Sequence, residues 1–114
     1  MIKKYRVLWA PVAYQDLRQI IAFIHQESPS TARSILKKIK KQASKLSRFP
    51  SRGRVVPELK KIGVVPYREL IIFPWRLIYR MATSHVFVVG CLDSRRNLED
   101  LLFTRFLVTP SDPV

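Results

Sequence analysis

The chain opens on an alternation. Tyr5, Val7 and Trp9 fall on one side of residues 4–9, and Lys4, Arg6 and Leu8 on the other, the period of a strand with one buried face. After Pro11, a residue suited to the first turn of a helix, the period lengthens. Ala13, Leu17, Ile20, Ile21 and Ile24 form a helical stripe, with Asp16, Arg18, Gln19 and His25 largely off it, which predicts a helix over residues 11–26. "ESPS" breaks the pattern, with Ser28 as N-cap and Pro29 at the first helical position. A second stripe of Ala32, Leu36, Ile39, Ala43 and Leu46 predicts a helix over residues 29–47. Two amphipathic helices with so short a joint make an antiparallel hairpin. Lys37, Lys38, Lys40, Lys41 and Lys45 are read as its solvent side, not as a nucleic-acid site.

The second half has the other period. "SRFPSRGR", residues 47–54, is a connector with Pro and Gly signals. "VVPELKKIGVVP" is a short edge strand or an extended loop, because its prolines exclude a central strand. Three strand-like runs follow, at 67–73, 75–81 and 85–92, with residues 81–85 turning between the last two. "HVFVVGCL" is apolar on both faces, which predicts a central strand covered on both sides. "DSRRNLEDLLFTRFL" carries Leu98, Leu101, Leu102 and Phe106 on one side of a short helix, with Asp93 or Ser94 as its cap. The order β, α, α, a run of β, then α specifies an α+β fold. An N-terminal strand and helical hairpin pack on a small, mainly antiparallel sheet. Residues 1–108 form one domain and residues 109–114 a loose tail.

Composition narrows the picture. A chain of 114 residues suffices for one modest core. With 21 Lys+Arg against 8 Asp+Glu the formal charge is +13, which favours a polyanionic partner or an acidic protein. The start has no long apolar region, and no stretch has the ~18 apolar residues of a membrane span; the expected location is cytoplasmic, with no membrane partner. The single cysteine, Cys91, allows no intrachain disulfide and reads as a small core residue. His25 and His85 lie far apart in sequence, and no Cys/His cluster has metal spacing, so neither metal nor cofactor is expected.

No phosphate-binding loop, dinucleotide fingerprint, zinc-protease motif or nucleophile elbow is present. Glu58, Glu69, Asp93, Glu99 and Asp100 are too few and too near cations to single out as an acid–base pair. Any chemistry would have to come from arginine or lysine stabilising anionic charge.

Four stretches, taken in order, resemble the RelE/ParE superfamily of type II toxin–antitoxin toxins, also called plasmid-stabilisation toxins. "VLWAPVAYQDLRQIIAFI" resembles the family's opening strand and helix, and "LSRFPSRGRVVPEL" its connector. "YRELIIFPWRLIYR" resembles its paired strands, and "VFVVGCLDSRRNLEDLL" its last strand with a double arginine. The resemblance spans residues 5–103. It implies a protein held inactive by a cognate antitoxin and assembling through it. It also implies one of two activities: ribosome-dependent messenger cleavage, as in RelE-like members, or poisoning of DNA gyrase, as in ParE-like ones.

By the resemblance, Arg68, Arg76 and Arg95 or Arg96 match family arginines, and in nuclease members the latter two positions stabilise the scissile phosphate. Arg76, Arg95 and Arg96 would be catalytic in a RelE-like enzyme. Arg54, Arg68, Arg76, Arg95 and Arg96 would be target-binding in either case. The chain departs from the nuclease pattern. Leu70, Ile71, Ile72 and Phe73 stand where RelE-like members carry lysines, and no His or Tyr follows Arg96. Without an acid or base, cleavage loses a factor of about 10²–10⁴. The sequence therefore favours the gyrase-directed, non-enzymatic branch, with the RNase as the alternative. A non-catalytic basic nucleic-acid-binding module and an inert interaction subunit are the other readings. Each residue also has a plainer use. Arg76 and Arg80 would lie on the solvent side of a half-buried strand, and Arg54 would hold the connector to a carboxylate. Arg95 and Arg96 would pair with Asp93 and Glu99, and Trp9 and Trp75 would pack in the core rather than stack on bases.

Overall fold

The structure, a computed structural model, describes residues 4–96 and 98–108; the tail expected at 109–114 lies outside them. Strand β1 (Arg6–Trp9) leads into helix α1 (Pro11–His25) and helix α2 (Pro29–Ser44), followed by a single 3₁₀ turn (Lys45–Ser47). The second helix is thus shorter than its stripe suggested, and the last turn tightens around Leu46, which is fully buried. Ser28 caps α2 as expected, its Oγ accepting the Thr31 N–H at 3.2 Å.

Strands β2 (Arg54–Val55), β3 (Tyr67–Ile72), β4 (Trp75–Met81) and β5 (His85–Asp93) complete a five-stranded sheet in the order β1-β5-β4-β3-β2. Every pairing is antiparallel except β1 with β5. This one parallel pairing returns the chain end beside its beginning and lays the helical hairpin across one face. The β5 run sits between β1 and β4 and is buried from Val86 to Leu92, the central position its two-sided apolarity predicted. The Phe73–Pro74 peptide in the β3–β4 turn is cis.

The segment expected as edge strand or loop is partly helical. Pro57 stands at the first position of helix α3 (Pro57–Lys60), and its fixed φ starts a turn there. Helix α4 (Leu98–Phe103) begins later than the proposed cap. Asp93 instead caps the turn before it, its Oδ1 accepting the Arg95 N–H at 2.9 Å.

Two cores result, one on each face. Between the sheet and the hairpin, Leu70, Ile72, Trp75, Leu77 and Tyr79 meet Ala13, Leu17, Ile39, Ala43 and Leu46. On the opposite face Ile78, Phe87, Val89 and Leu92 meet Val56, Leu59, Leu98 and Leu102. The face that alternation assigned to solvent is covered by α3 and α4.

Candidate functional site

That covering decides where the arginines go. Arg76 shares its face with Ile78 and is 6% exposed, so its charge needs partners inside. Its Nε donates to Glu69 Oε1 at 2.5 Å, and its two terminal nitrogens donate to the Glu58 carboxylate at 2.7 Å each. Glu69, 1% exposed, also accepts from Arg54 Nε at 2.7 Å. The Arg76 guanidinium is held above its ordinary pKa chiefly by the Glu58 bonds, and Glu58 is held below its own chiefly by Arg76. The expectation that Arg76 would face solvent is corrected: a helix turn with an acidic residue closes over it. Arg54 does what its plainer reading proposed, holding the connector to a carboxylate while its side chain stays 59% exposed.

Arg68 is half-buried at the start of β3 and donates to the Gly53 carbonyl at 2.8 Å. Gly53 itself lies against the sheet. Its N–H donates to Tyr79 Oη at 3.0 Å, while that hydroxyl donates to the Pro50 carbonyl at 2.7 Å. A Cβ at Gly53 would stand 2.5 Å from the Glu69 carbonyl oxygen and 2.7 Å from Tyr79 Oη, so only glycine fits. The tyrosine thereby pins the 48–53 loop to the sheet.

Arg95 and Arg96 are in a different place. Both are exposed in the turn after β5. Arg95 donates through Nε and Nη2 to the Asp93 carboxylate at 3.0 and 2.7 Å. Ser94 joins this turn to the β3–β4 tip, its N–H and Oγ both donating to the Pro74 carbonyl at 2.7 Å. Beside that tip, Phe73 is 74% and Ile71 52% exposed. The structure therefore splits the expected arginines into an internal set of Arg54, Arg68 and Arg76 and an external pair on an apolar sheet end.

Two acidic residues carry more than the sequence reading allowed. Glu69, too near cations in the sequence to single out, joins Arg54 and Arg76. Asp16, off the helical stripe, accepts from Arg105 Nη1 at 2.6 Å and from the Cys91 N–H at 3.0 Å, tying α1 to β5 and the C-terminal turn. Cys91 is an inert core residue as expected; burial pushes its thiol up to about 12. Trp75 is buried and Trp9 packs at the edge of the hairpin core, so both serve packing. No cluster of three or more His, Cys, Asp or Glu fit to hold a metal occurs among the described residues. No helix among them is long and apolar enough to cross a membrane.

On the outer side of the hairpin a groove of about 430 Å³ is lined by Tyr14, Leu17, Ile21, Leu36, Arg18 and Lys40, among others. Its floor is apolar and its rim basic.

Comparison with known proteins agrees with this architecture. The chain is similar to a solved structure of the chromosomal ParDE toxin–antitoxin system of P. aeruginosa, with 18% identity and a TM-score of 0.65, over 79% of this chain and 96% of the other. It is also similar to a structure of the RelBE2 toxin–antitoxin complex of Mycobacterium tuberculosis, with 22% identity and a TM-score of 0.57, over 82% of this chain and 94% of the other. No curated protein matches it by sequence. Residues 7–98 match the family model for the ParE toxin of the type II parDE toxin–antitoxin system, and the chain belongs to that toxin family.

Proposed function

We propose that this toxin acts by inhibiting DNA gyrase, without cleaving RNA, and is neutralised by an antitoxin docked on the helical hairpin. The observation that carries the first part is the closed face of the sheet. A nuclease needs open cationic side chains there to hold a phosphate. Here Leu98 and Leu102 fill that face, and the Arg76 guanidinium is already bonded to two carboxylates. The target surface we favour is the sheet end formed by Ile71, Phe73, Arg95 and Arg96. Exposed aromatic and arginine side chains side by side are what interface anchors are made of. Arg54 and Arg68 are bound to their own chain and contribute less, and Arg76 is left out.

The hairpin groove suits an amphipathic helix with apolar residues inward and acidic ones at its margins, against Arg18 and Lys40. Resemblance to the ParDE and RelBE2 assemblies supports such a partner. Induced expression with two readouts tests the reading. Growth arrest with loss of gyrase supercoiling by the purified toxin is expected. Messenger cleavage that requires ribosomes, with supercoiling intact, overturns it.

A further inference from the structure

The charge of this chain is not spread evenly. From Ser28 to Pro57 there is no Asp or Glu, yet the stretch holds nine Lys or Arg, and all nine are exposed. Lys38 and Lys41 stand at i and i+3 on the outward side of α2, and Lys45, opening the 3₁₀ turn, extends their row. At 1.5 Å per residue the row is about 10 Å long. It runs into the 48–52 loop, where Arg48 and Arg52 line an open concavity of about 390 Å³ with Phe49 and Pro50. The Tyr79 hydroxyl and the close approach of Gly53 hold this loop against the sheet, so its arginines sit on a fixed base.

Among the described carboxylates, four are engaged by arginine: Asp16 by Arg105, Glu58 and Glu69 by Arg76, Asp93 by Arg95. None lies within ion-pair distance of Lys38, Lys41, Lys45, Arg48 or Arg52 among the described residues. Like charges packed this closely repel one another and gain nothing from the fold. A polyanion is the partner that relieves them.

We infer that the Lys38–Lys41–Lys45 row, which the sequence alone assigns to solvent, and the Arg48/Arg52 loop form a binding surface for the phosphate backbone of duplex DNA. Three features favour duplex over other polyanions. The row stands on α2 and the 3₁₀ turn that continues it, and duplex DNA presents a charge every ~1.7 Å along its axis. It is made chiefly of lysine, which suits phosphate as a point charge and is depleted at protein interfaces. Phe49 alone offers an aromatic ring along it, too little for the stacking that single strands require. Phosphate contacts carry no sequence information, so binding through this row is independent of sequence. The row lies on the other flank of α2 from Lys40 and the hairpin groove, so both can be occupied together. The surface would hold the toxin on DNA, where an enzyme acting on DNA is also found.

The test is fluorescence anisotropy of a labelled 20-base-pair duplex with the purified toxin, alone and bound to its antitoxin, across salt concentrations. Five phosphate contacts predict a log–log salt slope of about −4.5, which is about a 500-fold fall in affinity between 50 and 200 mM salt. The variant Lys41→Glu/Lys45→Glu should lower the slope by about 1.8 and the affinity by about 10-fold or more at 100 mM salt. Lys60→Glu/Lys61→Glu makes the same change of net charge at the end of α3 and should bind almost as the parent does. Thermal melts confirm that both variants fold. Equal losses in the two variants overturn the inference, since net charge alone would then suffice. So does a single strand bound tenfold tighter than duplex, or a strong preference for one duplex sequence. A row variant that keeps DNA binding but loses its antitoxin also overturns it, because the row would then serve an acidic protein. Gyrase inhibition is measured separately, so failure here is distinct from failure of the gyrase reading.

Discussion

Two groups of arginine and carboxylate lie on the same sheet and have opposite surroundings. Under α3, Arg76 is enclosed with Glu69 and Glu58, with Arg54 bonding Glu69 from the rim. After β5, Arg95 chelates Asp93 in the open, with Arg96 beside it. The bond lengths are alike, but the consequences are not. A carboxylate–guanidinium pair in water contributes little, because solvent screens it and two mobile side chains must be ordered. An enclosed pair has already given up its hydration, and removing one member strands the other. The first group therefore belongs to the fold. The second is left available to a partner.

The strongest way to break this contrast is Glu69→Gln. The Glu69 side chain has no exposure and meets two arginines, so its neutralisation should cost about 3–5 kcal/mol. For a domain this small the loss lowers Tm by about 10–20 °C, measurable by circular dichroism. The double replacement Glu69→Leu/Arg76→Met sharpens the point. It removes both enclosed charges, leaving Glu58 and Arg54 near water, and should recover most of that loss. A double variant as unstable as Glu69→Gln would mean that the apolar pair does not pack in this space.

Glu58→Gln is the intermediate case. Glu58 is partly exposed and holds two bonds to Arg76, worth about 1–2 kcal/mol after screening. Its folded pKa is lowered from the usual 4.5 by Arg76. The stabilisation is thus fully present above pH 4.5 and is lost as pH falls through the lowered folded value. Melts of parent and variant should differ at pH 7 and converge in acid. A gap that persists at low pH would assign the effect to packing rather than charge.

How far these residues could be read from the sequence differs by case. The two stripes of α1 and α2, the Ser28 cap and the central place of β5 follow from periodicity, because each is a local pattern that packing reinforces. The inward turn of Arg76 does not. Alternation puts it opposite Leu77 correctly, but assigning that side to solvent assumes that β4 is only half-buried. What covers the second face is α3 and α4. The first of these was concealed in a proline-rich segment of four helical residues, although Pro57 followed by Glu58 and Leu59 was a start signal. Glu69 was readable only in part: a carboxylate within an apolar strand signals a buried cation, yet which cation depends on strand register. The resemblance carried Arg95 and Arg96 together with Arg76, and only the third dimension separates them.

The smallest stability effect should accompany the largest functional one. In Arg95→Ala/Arg96→Ala both side chains come from an exposed turn, and the pair to Asp93 is open to solvent, so Tm should not move measurably. The Ser94 bonds to the Pro74 carbonyl remain, and with them the shape of the sheet end. If this end contacts the target, losing two central cations should raise the toxin concentration needed to inhibit gyrase by about 10-fold or more, and induced cells should resume growth. Phe73→Ala should act in the same direction, since its ring is the most exposed large apolar group of the sheet end. Full toxicity in the folded double variant would remove Arg95 and Arg96 from the target surface. Both clusters would then be internal matters of the fold, and the distinction between them would be one of exposure alone.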